Sequence, residues 1–252
     1  MKLLAVDIGN TNISFALFRA NRIIKRFDIP TREYNLKKLK NSLDKVAIDD
    51  SIICSVVPRA TGILEKGLKS QLGARPYIIG KDISVPIKNL YRKPEQVGQD
   101  RLINAYAGTR FYGAPLIIVD FGTAVTFDVV SKNREYLGGM ILPGLQISLD
   151  TLAERTALLP KIKLGKPREF IGRDTKNSML SGIVYGLAAL TDSLTEKVKN
   201  EIGNNALVVA TGGNIGLIAG YCQGVAKIDK DLTLKGLNLI YDKYNASMRH
   251  RK

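Results

Sequence analysis

The chain has 252 residues, enough for one large domain or two small ones, and its 45% hydrophobic and 24% charged fractions are those of a globular protein with a core. The opening MKLLAVDIGN meets an Asp too early for a secretory leader, and no apolar run approaches the roughly 18 residues of a membrane helix. The net charge of +15 comes from lysines and arginines spread along the chain, as in KKLKNSLDK. Without an arginine-rich stretch interleaved with aromatics, it argues against a nucleic-acid module and reads as a solvated surface whose field favours small polyanions. Cys54 and Cys222 lie far apart in apolar surroundings, so buried thiols and a cytoplasmic location are expected. His250, the only histidine, falls in the basic tail MRHRK and is assigned no role.

In chain order, LLAVDIGNTNISFAL opens with an apolar strand, an acidic turn and a second strand. A third strand is expected from Arg22 to Ile29, then a helix carrying Leu36, Leu39, Leu43 and Val46 on one face. SIICSVV, stopped by Pro58, reads as a buried strand. A helix from Gly62 to Leu72, the strand PYIIG and a helix from Val97 to Tyr112 follow. From Leu116 the pattern starts again. LIIVDFGTAVTFDVV aligns with the opening segment without a gap, Asp120 over Asp7 and Gly122 over Gly9. Three strands to Met140, helices over Gln146–Thr156 and Lys176–Asn200, and the strand ALVVAT come next. A helix from Asn214 to Cys222, the strand VAKI and a helix from Asp231 close the chain. Strands alternating with helices imply largely parallel sheets covered on both faces. Two such units in tandem resemble the fold shared by actin and the sugar kinases. The expected class is α/β: two tandem RNase H-like (actin-like ATPase) domains, 1–113 and 114–252, with a nucleotide cleft between them.

The two turns suit phosphate. A tight strand-to-strand turn with Gly at its apex exposes backbone N–H groups and admits a phosphate close to the chain. The first spans Asp7, Ile8, Gly9, Asn10, Thr11 and Asn12, whose amides and polar side chains can bind phosphate oxygens. Asp7 is anionic, so its sensible partner is a hydrated Mg²⁺ bridging the phosphates. In DFGTAVT, Thr123 offers a hydroxyl and Asp120 a second carboxylate for a cation. Either turn alone reads first as an ordinary β-turn in which Asp hydrogen-bonds its own backbone; two copies in matching context reverse that and favour phosphate. ALVVATGGNIG runs a strand into adjacent Gly212 and Gly213 and then a helix, which suits a nucleotide or serves as a plain strand-to-helix turn.

The segments PEQVGQDRLINAYAG, LIIVDFGTAVTFD, GGMILPGL and GRDTKNSMLSGIVYG stand in the order and spacing of type III pantothenate kinases, as do DIGNTN and TGGN. The chain resembles that family from Val6 to about Asn238. The resemblance implies ATP-dependent phosphorylation of pantothenate, the first step toward coenzyme A. It further implies Asp100 as general base, with Gly98, Gln99, Arg101, Tyr91 and Thr175 in the pantothenate site. A monovalent cation, K⁺ or NH₄⁺, is implied at Asp120, and a homodimer in which the second subunit completes the pantothenate pocket. Chemistry gives Asp100 an independent case, since transfer to an alcohol needs a carboxylate to take its proton, and Arg101 can hold a carboxylate bidentately. The plain readings are a helix N-terminal charge paired with Arg101, and simple packing for Tyr91. Relatives often carry Asn at the position of Asp174, whose extra charge needs Arg173 or Lys176 as a neutraliser. The competing functions are a non-catalytic transcription accessory factor of the same family, and another actin-like small-molecule kinase acting on a sugar, acetate or polyphosphate.

Overall fold

The computed structural model describes residues 1–43 and 47–249. The chain divides into two compact units: Met1–Lys88 with Arg92–Ala107 and Leu232–Lys252, and Asn89–Tyr91 with Gly108–Asp231.

In the first unit β1 (Lys2–Ile8), β2 (Asn12–Arg19) and β3 (Arg22–Pro30) form an antiparallel meander, followed by α1 (Leu36–Ser42) and β4 (Asp50–Ser55). After α2 (Pro58–Leu72) comes β5 (Tyr77–Ile78), and the sheet order is β3-β2-β1-β4-β5 with β1, β4 and β5 parallel. Alternate residues of β1 feed two cores, because successive strand side chains point to opposite faces. Leu3 and Ala5 pack with Ile103 of α3 (Gln99–Phe111) and with Leu234, Leu237 and Ile240 of α7 (Leu232–Arg249). Leu4, Val6 and Ile8 pack with Leu39, Leu64 and Leu68 of α1 and α2. A strand covered by helices on both sides is apolar at every position, which is why LLAV carries no alternation. Pro58 starts α2 with a residue that needs no donor, and Gly73 ends it at φ 71°.

The second unit repeats the order. β7 (Leu116–Phe121), β8 (Ala124–Val130) and β9 (Glu135–Pro143) form the meander, and α4 (Leu145–Arg155) and α5 (Thr175–Ile202) follow. β10 (Leu207–Thr211), the single turn α6 (Ile215–Ile218) and β11 (Lys227–Ile228) complete it. The sheet runs β11-β10-β7-β8-β9-β6, with the short β6 (Lys88–Asn89) at its edge. Apart from β6 this is the arrangement of the first sheet, strand for strand.

Several elements differ from the sequence reading. The helix expected through Val46 ends at Ser42, capped by Leu43, and Val46 lies outside the described residues, as does His250. The Asn214–Cys222 helix is one α-turn followed by a 3₁₀ turn. The edge strand β6 is too short and polar to announce itself. The closing helix α7 groups with the first unit, unlike a division at 113/114, because its apolar face packs on β1. Among the described residues no helix is long and apolar enough to cross a membrane, and both cysteines are free, Cys54 buried and Cys222 half-buried.

Candidate active site

The first acidic turn is built by β1 and β2. Asp7, at the C-terminal end of β1, pairs with Ser14 of β2 and with Cys54 of β4. Gly9 N–H donates to the Asn12 carbonyl at 3.0 Å, Thr31 N–H donates to the Thr11 carbonyl at 2.9 Å, and Thr31 Oγ donates to the Gly9 carbonyl at 2.7 Å. The Gly9, Thr11 and Asn12 carbonyls are therefore engaged within the fold. Asn10, Thr11 and Asn12 are exposed, so the turn chiefly offers donors to a ligand, as an anion requires. Ile8 is fully buried and anchors the turn in the core.

The GQDR loop belongs to the same unit and opens α3. Asp100 Oδ1 accepts the Arg101 amide at 2.9 Å. A Cβ on Gly98 would stand 2.4 Å from that oxygen, so a side chain there would force the carboxylate to shift. Gly98 also accepts from Arg101 and Leu102 N–H, forming the first turn of the helix. Gln99 lies over Gly80, which adopts φ 84° and where a Cβ would approach the Gln99 side chain at 3.1 Å. Burial raises the Asp100 pKa above the ordinary carboxylate value, against the lowering pull of the Arg101 amide and guanidinium. A carboxylate made more basic in this way is suited to accepting a proton. Arg101 itself is buried at 8% exposure. Asp7 and Asp100 both press on Cys54: burial first, then these two charges, hold its thiol protonated. The candidate base and the first turn are thus near one another within one unit.

The second acidic turn is more enclosed. Asp120, at the end of β7, pairs with Thr126 of β8 and Thr211 of β10. Gly212 takes φ 98°, and a Cβ there would meet Asp120 Oδ1 at 2.4 Å and the Phe121 backbone at 2.6 Å. Asn214 N–H donates to the Phe121 carbonyl at 3.0 Å and Asn214 Nδ2 to the Gly122 carbonyl at 3.2 Å. Gly144 closes the other side, its N–H donating to the Thr123 carbonyl at 3.2 Å and its missing Cβ leaving room for the Gly122 and Thr123 carbonyls. The TGGN turn and the DFGT turn are therefore one packed assembly. Gly213 has open space where a side chain would stand. Among the described residues no group of three or more His, Cys, Asp or Glu forms a metal cluster. A site with a single protein carboxylate from this turn would suit a weakly held cation or one that shares its shell with phosphates.

Tyr91 and Thr175 lie in the second unit. Tyr91 follows β6, its amide donating to Asn89 Oδ1 at 3.0 Å and its ring 6.5 Å from that of Tyr136. Thr175 is the exposed first residue of α5. Asp174 caps that helix, Oδ1 accepting Asn177 N–H at 2.8 Å and Oδ2 accepting Asn177 Nδ2 at 2.6 Å. These bonds, with the charges of Arg168 and Lys176, lower its pKa. Arg173, a neutraliser expected from sequence, pairs instead with Glu169 at 3.0 Å. Asn is an equally good N-cap, so the Asp at this position changes the charge and keeps the capping role.

Comparison with known proteins bears on this arrangement directly. The sequence model of type III pantothenate kinases matches residues 3–197. Type III pantothenate kinases from Geotalea uraniireducens and Agathobacter rectalis are 40% and 41% identical, each alignment covering 96% of this chain and 98% of the relative. The chain belongs to the type III pantothenate kinase family. Solved structures similar in fold include a Baf family transcriptional activator from Campylobacter jejuni, with TM-score 0.60, 21% identity and coverage of 96% of this chain and 99% of that one. A glucokinase of the ROK family from Streptomyces griseus, in complex with glucose and AMPPNP, aligns with TM-score 0.52 and 11% identity over 95% and 99% of the two chains. At such identity these neighbours bear on the fold alone, and the fold is that of the actin-like ATPases.

For this family member, sequence reasoning missed the residues that brace the turns: Thr31, Gly80, Gly144 and Asn214. Their signals were weak, since Thr31 stands after a strand and contacts a turn twenty-two residues away. Gly144 and Asn214 stand within the GGMILPGL and TGGN motifs, but only the packing of one turn on the other gives them a task.

Proposed function

We infer that this chain carries out the reaction for which its family is named, phosphoryl transfer from ATP to pantothenate, with Asp100 as the general base. As a kinase of this family it uses ATP with a divalent metal. In the inferred reaction the pantothenate hydroxyl oxygen attacks the γ-phosphorus, its proton passes to the Asp100 carboxylate, and the bond to the bridging oxygen breaks to release ADP. The single observation that carries the base assignment is the position of Asp100. Its carboxylate lies over Gly98 with a raised pKa, close enough to the Asp7 turn for both to act on Cys54. Asp7 would hold, through water, a Mg²⁺ whose charge would neutralise the phosphates, while the polar groups of Asn10, Thr11 and Asn12 would orient them. Asp120 would hold K⁺ or NH₄⁺, and Thr123, Gly212 and Gly213 would line the nucleotide. Arg101 can neutralise the pantothenate carboxylate beside Gly98 and Gln99, and Tyr91 and Thr175, in the second unit, are further proposed pantothenate contacts.

A homodimer is part of this reading. Leu158, Phe170 and Ile171 are 91%, 67% and 76% exposed on the segment leading to Thr175, an apolar surface that a second copy would cover. Sedimentation equilibrium tests it: a monomer at micromolar concentration would end that part of the proposal.

The decisive measurement is a coupled ADP-release assay with pantothenate, acetate and hexoses, in potassium and in sodium. Turnover is expected with pantothenate only, and more of it in potassium. Asp100→Asn is expected to lose about 10²- to 10⁴-fold in turnover while staying folded. Because burial raises the Asp100 pKa, ionising it opposes folding, and its destabilising effect grows as pH rises from the ordinary carboxylate value through the folded one. The Asn variant should therefore match or exceed the parent in Tm at pH 7. In the parent, the acid limb of kcat/KM should fall above 3.8, the ordinary value for this carboxyl. Near-normal turnover in the Asn variant would remove Asp100 from the mechanism.

A further inference from the structure

Tyr91 combines a held ring with a hydroxyl that makes no hydrogen bond among the described residues. Its backbone is pinned on both sides: the Leu90 amide donates to the Tyr136 carbonyl at 2.8 Å, and the Tyr91 amide to Asn89 Oδ1. A tyrosine present only for packing would bury its ring and satisfy its hydroxyl at no further cost. Here the ring is half-buried and the hydroxyl is left to an outside partner.

The ring lies against Gly138 of β9. Gly138 adopts φ 127°, and a Cβ built on it would stand 3.2 Å from Cδ2 and 3.3 Å from Cε2 of Tyr91. That spacing is tighter than side chains normally accept, so a Cβ there would make the ring give by a few tenths of an ångström and tilt it, and the positive φ independently favours glycine. The register shift between Val129 and Val130, where Val130 pairs with Tyr136, sits at the same point of the sheet. Bulges of this kind re-aim side chains at the edges of sites. Behind the seat, Tyr136 is fully buried and its hydroxyl donates at 2.9 Å to Oδ1 of Asp128, itself fully buried. Asp128 also accepts from Thr126 Oγ at 3.2 Å. A buried carboxylate holding a buried tyrosine fixes the second ring against which Tyr91 rests, and so a polar anchor in β8 is transmitted to the exposed hydroxyl.

We propose that Gly138, backed by the Tyr136–Asp128 hydrogen bond, is a positioning residue for pantothenate: it provides the seat that aims the Tyr91 hydroxyl at the substrate. The proposal rests on the reading of Tyr91 as a pantothenate contact. Pantothenate carries hydroxyl, amide and methyl groups along a short chain, which a fixed phenol can meet with one hydrogen bond and one apolar face. A seat that is only tilted leaves the chemistry intact and weakens that contact, so the effect should appear in KM for pantothenate and not in KM for ATP.

A double-mutant cycle on the full-length protein separates this from a structural role, with KM for pantothenate, KM for ATP, kcat and Tm measured for each variant. Tyr91→Ala should raise KM for pantothenate about tenfold, the loss of roughly one good contact. Gly138→Ala should raise it about three- to tenfold, with KM for ATP unchanged. In the Tyr91→Ala background the same Gly138→Ala change should add nothing to KM while still lowering Tm, because strain at φ 127° persists and the ring is gone. Equal KM increases in both backgrounds, or none in either, would overturn the positioning role. Should Gly138→Ala not fold, Tyr136→Phe keeps the ring and removes the tether. It is expected to raise KM for pantothenate severalfold with Tyr91 present and leave it unchanged with Tyr91→Ala, and any other pattern counts against the proposal. If Tyr91→Ala alone leaves KM for pantothenate unchanged, the substrate assignment of Tyr91 fails first, and the seat loses its function with it.

Discussion

Two turns with the same sequence pattern, DIGNTN and DFGTAVT, end in different surroundings. Around the first, Thr31 takes up the Gly9 and Thr11 carbonyls and leaves Asn10 to Asn12 exposed. Around the second, Gly144, Gly212 and Asn214 converge on the turn, and Asp120 Oδ1 lies where a Gly212 side chain would have to stand. The carbonyls of both turns are hydrogen-bonded within the fold; the first turn leaves its polar side chains exposed, whereas the second is enclosed by the glycines packed on it. Duplication of a supersecondary unit repeats the strand geometry, because hydrophobic patterning dictates that. It does not repeat the surroundings, because each turn is braced by residues far away in sequence.

The largest expected effect breaks the pair by charge. Asp120→Asn should abolish activation by potassium and lower turnover by about a hundredfold, the usual cost of removing one electrostatic stabiliser from a transferring group. Asp7→Asn should keep the potassium response and raise the Mg²⁺ concentration needed for half-maximal rate. Potassium and magnesium titrations of both variants check this. If the two respond alike, the division of cations between the turns is wrong.

Next comes stability. Gly212→Ala would force a Cβ within 2.4 Å of Asp120 Oδ1 and 2.6 Å of the Phe121 backbone, at φ 98°. Backbone atoms do not yield easily, so the expected cost is about 2–4 kcal/mol by urea unfolding. Gly9→Ala meets only the Asn12 carbonyl, at 3.1 Å, and should stay within about 1 kcal/mol of the parent. Equal losses would mean that the second turn is not the more tightly enclosed.

How much of this was legible in advance follows the same division. The strands of both sheets were readable because apolar runs such as LLAV and LIIV are buried on both faces, and burial of that kind admits little else. Asp7, Asp120 and Gly212 were visible through the repeat and the TGGN string. Asp100 needed the family resemblance, since by itself an acid at a helix start is commonplace. Three things could not be read. β6 is two residues of polar strand whose pairing is fixed from outside, α7 returns to the first sheet through contacts some 230 residues apart in sequence, and Thr31, Gly138 and Gly144 act by contacts no local pattern encodes. The GRDT loop shows the opposite case. A local rule, the N-cap preference, accounts for the position of Asp174, and Lys176, one of the two neutralising cations expected, adds its charge.

The smallest expected effects test whether the braces act separately. Thr31→Val is nearly isosteric and removes one hydrogen bond, from Oγ to the Gly9 carbonyl. The lost bond should cost about 1 kcal/mol. With the Thr31 amide still holding the Thr11 carbonyl, the first turn should loosen without unfolding. The expected result is a two- to fivefold rise in KM for ATP, roughly the kinetic equivalent of that loss, with an unchanged potassium response. Asn214→Ala removes the side-chain bond to the Gly122 carbonyl and keeps the backbone bond to Phe121. Its effect should fall on the second turn, as a shift of similar size in the potassium concentration for half-activation. Steady-state kinetics on the two variants and their combination would show independent, multiplicative changes in two different parameters if each brace serves its own turn. A shift of both parameters by either variant alone would mean that the two turns act as a single phosphate site, and that their different surroundings are structural detail without separate chemical roles.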